Sequence, residues 1–349
     1  MSSWIQRVGA LFGGRAAVAV PAPRPKTAPA RARAAAARPL AINAQVFMES
    51  AMPDPQLPFF EWLLGTGPTL DAPLLASEQR LLAQLDAVLA ADSSRTALLP
   101  RAPAVIPQLM NSLRDERQSA QALADRIAKD PSLVAEVIRL ANSAHARAAE
   151  RVSDLAEAVS RLGTQGLRRA IAVVVLKPIF DAQADSLSGR SAARLWLHSE
   201  AKAAECMRLA TGAGLDPFDG YLAGLMHNIG WTAALRAIDR SEGGAPAQFS
   251  RAFVPAFEPK REMFFALLVM PWHLTDALTA LAVELLDGGL VAATSKLGRA
   301  LRAADRHASL DMLGAGTLLA TLAPGASASS ATTFAAAGFT CPGPRGTRT

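Results

Sequence analysis

Leu81, Leu82, Leu85, Val88 and Leu89 recur at intervals of three and four, opposite Glu78, Arg80 and Asp86, so residues 77–91 predict an amphipathic helix. The same spacing returns along most of the chain beyond Pro100. Leu133, Val134, Val137, Ile138 and Ala141 line one face of a helix that starts at Asp130-Pro131 and ends near Asn142. Asp is the N-cap there and Pro takes the first helical position, a device repeated at Asp216-Pro217. Gly163 stops a helix carrying Leu155, Val159 and Leu162, and Thr164 can cap the next. Further helices are expected at about 190–211, 217–228, 261–270, 274–287, 290–304 and 308–322. No pair of alternating runs joined by a tight Asn-Gly or Asp-Gly turn interrupts the series. The pattern predicts an all-α protein.

Both ends depart from it. Trp4, Ile5, Val8, Leu11 and Phe12 keep helical spacing beside Arg7 and Arg15, and from Pro21 to Pro39 Pro and Ala alternate with isolated Arg. Residues 1–42 are therefore expected to be a disordered, basic Pro/Ala/Arg-rich tether. Its amphipathic start can dock on a membrane surface or a protein, or stay frayed, and an acid-free, Arg-rich start also imitates a transit peptide. Residues 43–95, broken by Pro53, Pro55, Pro58 and Pro68, are expected to be an N-terminal helical extension that packs on the main domain or on a partner. The main domain is expected over 96–305, a C-terminal helix over 306–323 and a disordered Ala/Ser/Thr/Gly-rich tail over 324–349. No apolar run reaches the roughly 18 to 20 residues that span a bilayer. The most apolar stretch, Ile171 to Leu176, is bounded by Arg168-Arg169 and Lys177-Pro178 and predicts a buried helix. A soluble, cytoplasmic protein with at most peripheral membrane contact is expected.

Half of the 349 residues are apolar but only 5% are aromatic, a balance that supplies a sizeable core and favours helices over strands. Cys206 and Cys341 form neither a disulfide framework nor a zinc spacing and fit a reducing compartment. Seven of the 36 lysine and arginine residues fall in residues 1–40, which hold no acid, leaving 29 bases against 30 acids elsewhere. The net charge of +6 therefore belongs to the tether, and a broad nucleic-acid face on the folded part is not indicated.

The candidate chemistry lies in Gly220-Tyr221-Leu222-Ala223-Gly224-Leu225-Met226-His227-Asn228-Ile229-Gly230. His followed by Asp at such a helix end would give a metal an imidazole and a carboxylate. Asn228 supplies an amide without the charge that balances a divalent cation. Other constellations are weaker. Ser199 beside His198 has no nucleophile turn, Gly163-Thr164-Gln165-Gly166 lacks the lysine of a phosphate loop, and Asp115-Glu116 diverge on a helix. His145, His273 and His307 read as surface or capping residues, and Trp196 as a core anchor. Tyr221, Trp231 and Trp272 either fill the bundle or line a pocket. Asn142 either caps its own helix, orients the following loop or contacts a partner.

Residues 99–230 resemble the HDOD domain, a bacterial signalling module related to the HD phosphohydrolases. The resemblance rests on Leu99-Pro100, Pro103, Val105, Leu109 and Leu113, then Ile127, Asp130-Pro131-Ser132-Leu133 and Leu140-Ala141-Asn142-Ser143-Ala144. Val152, Leu155, Ala158-Val159, Leu162-Gly163, Trp196-Leu197-His198-Ser199 and Ala223 to Gly230 follow in the same order, and the likeness thins out after Trp231 towards residue 305. It implies a compact multi-helix bundle with a degenerate relative of the phosphohydrolase site, in a family regarded as regulatory or scaffolding. By that resemblance His198 matches the first metal-site His and His227 the second, with Asn228 where the Asp should stand. The region expected to hold later ligands contains no His. Arg261 would repel a cation, and the spacing of Glu262 and Glu284 does not mark them as ligands.

The reading is a non-enzymatic signal-transduction or scaffold protein acting through protein–protein contacts. No catalytic residue, metal or cofactor is assigned, and His198, His227 and Asn228 form a remnant pocket with room for a small-molecule ligand. Two alternatives remain: a weak metal-dependent phosphodiesterase or phosphohydrolase using His198 and His227, and nucleic-acid or anionic-membrane binding through the basic tether.

Overall fold

The computed structural model describes residues 54–99, 124–125, 127–144 and 151–314. The tether, Pro100, Asp115-Glu116, His145 and the C-terminal tail lie outside the described residues. Helices follow in the order α1 Gln56–Leu64, α2 Ala76–Ala90, α3 Asp92–Leu98, α4 Pro131–Ala144, α5 Leu155–Phe180, α6 Leu187–Gly212, α7 Pro217–His227 and α8 Ile229–Asp239. After these come α9 Phe253–Val269, a 3-10 turn at Met270–Trp272, α10 Asp276–Ala292 and α11 Lys296–Met312. Among the described residues the sole extended pairing is one isolated bridge, Leu70 with Ser250. The protein is all-α.

The helix starts use the residues that the sequence offered. Asp216 accepts from the Phe218 N–H at 2.8 Å, and Asp130 accepts from Ser132 and Leu133 at 2.8 and 3.3 Å. Gly163 breaks α5 with φ 61° and ψ −174°, and Ile171 to Leu176 lie beyond it in the core. Trp196 is buried edge-on against Phe180.

At the centre, α6 and α7 pack backbone to backbone. A Cβ on Gly224 would lie 2.6 Å from Ala203 Cα and 2.7 Å from the Lys202 carbonyl, and one on Gly220 would lie 2.8 Å from the Cys206 carbonyl. The two glycines therefore set how near the helices come. Against this pair lie α11 and α8, and α8 passes to α9 and α10. A Cβ on Gly230 would lie 2.4 Å from the Arg261 carbonyl, so α8 and α9 also meet closely.

The helices at residues 54–99 are part of this core. Phe59, Phe60, Leu63, Leu64, Leu81, Leu85 and Leu89 are all buried. Glu78, fully buried, accepts from the Leu75 N–H at 2.9 Å and from the Ser250 N–H and hydroxyl, both at 2.6 Å. That carboxylate ties α2 to the approach of α9.

Two expectations about boundaries need correction. No break separates 304 from 308: residues 296–312 are one helix, α11, and residues 306–312 of the expected C-terminal helix are its last two turns, while 315–323 lie outside the described residues. The break falls earlier, at 293–295, where Glu284 accepts from the Thr294 and Ser295 N–H groups at 2.6 and 2.8 Å and Ser295 caps Gly298 at 2.9 Å. The apolar stripe Leu297, Leu301, Ala304 and Ala308 then runs through Asp305 and His307 without interruption. Likewise α9 starts at Phe253, eight residues before the expected 261: Pro255 falls in the first turn, where no N–H is needed, and the helix continues through Pro259.

Gly224→Ala should cost roughly 1–3 kcal/mol, because its Cβ meets backbone that cannot yield. Gly212→Ala, which faces open space, should change stability little. Urea-unfolding midpoints compare the two, and equal midpoints would contradict the close α6–α7 contact.

Candidate functional site

One turn apart on α6 stand His198 and Lys202. The α7–α8 junction brings His227 and Asn228 to them, α9 adds Arg261 and Glu262, and α11 adds Asp305 and Ser309. Lys202 is at the centre, fully buried. Its Nζ lies 3.0 Å from His227 Nδ1, 2.6 Å from Asn228 Oδ1 and 2.7 Å from Asp305 Oδ1. An ammonium has three N–H groups and meets three acceptors here. Because His227 accepts at Nδ1, its own proton is on Nε2 and is donated to Glu262 at 2.9 Å.

Asn228 joins this network to the second imidazole. Its Nδ2 lies 3.1 Å from the Leu195 carbonyl, 2.9 Å from Ser199 Oγ and 3.0 Å from His198 Nδ1. His198 Nε2 is 3.2 Å from Ser309 Oγ. Arg261 pairs with Glu258 and, at 2.6 Å, with Glu262, and its guanidinium lies 5.4 Å from the centre of the Trp231 ring.

The charges follow from these contacts. Burial, and then the Lys202 charge, push His198 down to about 3, so its ring is neutral. Burial opposes ionisation of Asp305, but the Lys202 charge outweighs it and holds the carboxyl well below its ordinary value. For Glu262, too, burial is outweighed by Arg261 and His227, and its pKa falls. Burial draws Lys202 below an ordinary lysine against the pull of Asp305. With three acceptors around Nζ, the charged form is the one the geometry suits.

The cluster is closed on the side of α1. The Phe59 ring lies 4.3 Å from His198, centre to centre, and Phe265 lies 5.2 Å from His227. His198, Lys202, His227 and Asn228 have no exposed surface, while the Asp305 side chain keeps a quarter of its own. The remnant pocket expected here is therefore not a cavity: the Lys202 ammonium fills it. A divalent metal would take ligands at about 2.0–2.2 Å from the point that Nζ holds, with a neutral amide in place of a carboxylate. These residues do not fit a catalytic cation.

Of the residues read from sequence, His198, His227 and Asn228 come together, and Gly230 allows the helix contact that brings Arg261 close. Asp130, Pro131, Asn142 and Gly163 serve α4 and α5 instead. Asn142 is not spent on its own helix end: its amide donates to the Val152 carbonyl and accepts the Val152 N–H, both at 2.9 Å, across the following loop. His273 is exposed beyond the 3-10 turn, and His307 pairs with Glu205 at 2.8 Å. Sequence reasoning missed Lys202, Asp305 and Ser309. The signal was present: Lys202 is one turn after His198 on a face otherwise made of Leu195, Ser199 and Cys206, and Ser309 is one turn after Asp305.

The HDOD domain family profile matches residues 99–253. The chain contains an HDOD domain. An uncharacterized protein of Treponema pallidum (strain Nichols) is 25% identical over 134 residues, which is 38% of this chain and 25% of that protein. The chain thus matches about a quarter of that curated relative's length. Among solved structures, an HDOD domain protein with unknown function from Geobacter sulfurreducens is 22% identical, covers 64% of this chain and 78% of its own, and superposes with a TM-score of 0.47. A candidate metal-dependent phosphohydrolase from Shewanella amazonensis SB2B is 19% identical, covers 69% of this chain and 90% of its own, and has a TM-score of 0.49. The HDOD match ends before Arg261, Glu262 and Asp305, so both acids of the cluster come from outside it.

Two measurements test the cluster. Lys202→Met leaves Asp305 without its cation and should cost about 3–5 kcal/mol, part of which Lys202→Met combined with Asp305→Asn recovers. Strictly additive losses in urea unfolding would argue against the pairing. Between pH 6.5 and 3 the unfolded chain protonates His198 and the folded chain does not, so stability should fall with pH by roughly 1 kcal/mol per unit. His198→Gln should flatten that slope; an unchanged slope would mean that His198 is charged in the fold.

Proposed function

We propose that this HDOD-containing chain is a non-catalytic signalling or scaffold protein that works through protein contacts on its outer helical surfaces. The observation that carries this reading is the Lys202 ammonium, held by His227, Asn228 and Asp305 where a hydrolase would need a metal and its activated water. Three further features support it. Asn228 gives no charge to a cation, the imidazoles have no exposed surface, and Phe59 of α1 covers His198. A phosphate ester has no route to either His, so what remains for the bundle is to present surfaces.

The test uses the purified full-length chain. It should carry well under one metal per chain and show no turnover of cyclic dinucleotides or nucleotides with added manganese or iron. Stoichiometric metal with turnover abolished by His227→Ala would establish the hydrolase alternative instead. The same chain captured from its native cell should bring down one protein in constant proportion. Salt-sensitive nucleic-acid or anionic-vesicle binding in place of that protein would favour the tether as the working part.

A further inference from the structure

Two parts of this chain carry opposite charge. From Met263 to Ser295 there is no Lys or Arg but three acids, Asp276, Glu284 and Asp287. Residues 1–48 hold seven bases and no acid. At their start Trp4, Ile5, Val8, Leu11 and Phe12 keep helical spacing beside Arg7 and Arg15, an element for which the bundle has no evident use.

The acidic stretch turns its charge outward on α10. Asp276, Ala280, Val283 and Asp287 follow at intervals of four, three and four, so they share one face, and all four are exposed. Val283 keeps 47% of its surface. Glu284 is spent on Thr294 and Ser295, but neither the Asp276 nor the Asp287 carboxylate has a partner among the described residues. On α9, which packs along α10, Met263, Leu267 and Met270 stay half-buried on one face of their own. Past the break at Gly289 positive charge returns, where Arg302 donates to the Val291 carbonyl at 2.7 Å.

Apolar side chains between two unpaired carboxylates suit an amphipathic helix with bases at its margins. They do not suit an anionic lipid surface or a nucleic-acid backbone, and a second copy would set these acids against the same acids. In helical form Arg7 and Arg15 stand about 12 Å apart, against about 16 Å for Asp276 and Asp287. The face is narrow beside the roughly 1,000 Å² that a separate partner needs. A segment of the same chain needs less, because its effective concentration is on the order of millimolar. Residues 16–53 span about 35 Å relaxed and about 125 Å extended, and they join the bundle at α1, which packs on α9.

We propose that residues 4–15 dock as an amphipathic helix on the outer face of α10 of the same chain, with their apolar side chains on Ala280 and Val283 and Arg7 and Arg15 toward Asp276 and Asp287. The contact holds the basic tether on the bundle and competes with any partner for this face, whether or not the bundle is catalytic.

Hydrogen–deuterium exchange of the full-length chain tests it. The amides of residues 4–15 should exchange at least about tenfold more slowly than in a Val283→Asp variant, at any protein concentration. Val283 is exposed, so the variant should keep its fold, and unchanged protection of α6 and α7 in the same experiment verifies this. Arg7→Glu with Arg15→Glu should abolish the protection, and adding Asp276→Arg with Asp287→Arg should restore it. Equal exchange in the full chain and the Val283→Asp variant, or no restoration by the charge reversal, would overturn the proposal. Protection that vanishes on dilution would overturn it too, by assigning the face to a second copy.

Discussion

A lysine ammonium inside a helical bundle must find an acceptor for every proton, and the rest of this structure is arranged around that demand at Lys202. Removing such a charge from water costs several kcal/mol, which Coulomb attraction offsets only where the geometry is complete. Here it is complete: an imidazole nitrogen, an amide oxygen and a carboxylate oxygen take the three N–H groups. The arrangement fixes the spacing of four helices. Gly220 and Gly224 allow α7 close enough to α6 for His227 and Asn228 to reach Nζ, and Asp305 must come from α11 because no acid on α6 or α7 is placed to do so.

In this light Asn228 has a task of its own. Its amide accepts from Lys202 on one side, and on the other its two N–H groups are shared among the Leu195 carbonyl, Ser199 and His198. An ionised carboxylate there would place oxygen lone pairs against the Leu195 carbonyl and could donate nothing to His198. Once an ammonium holds the centre, amide is the better chemistry at 228. Arg261 has a similar logic: with Glu258 and Glu262 as its partners it balances acid in the core, and Glu262 in turn accepts the His227 proton.

The helices before the HDOD match belong to the same constraint. Phe59 lies on His198, Arg194 of α6 donates to the Leu63 carbonyl at 2.7 Å, and Glu78 ties α2 to Ser250. Phe59 therefore walls the cluster on this side, and the other two contacts hold residues 54–99 to the bundle. Keeping water from Lys202 strengthens its contacts, because charge pairs interact more strongly where the surroundings are less polarisable.

Much of the fold was legible in sequence because helices write their own periodicity and caps. Leu81 to Leu89, Asp130-Pro131, Gly163 and Asp216-Pro217 each mark a local event governed by neighbours in the chain. The α10–α11 boundary was not, because Glu284 settles it from ten residues away. The site divided in the same way. Residues 227 and 228 are adjacent, and the missing charge at 228 could be read directly. That an ammonium from α6 and a carboxylate from α11, 103 residues apart, would meet at that spot could not, since contacts between distant helices leave no local spacing to read. Sequence determined that this chain is helical, where most helices begin, and that Asn228 brings no charge of its own. The tertiary structure alone decided what stands at the centre of the cluster, because that depends on which charges the packed helices bring within hydrogen-bond reach of one another.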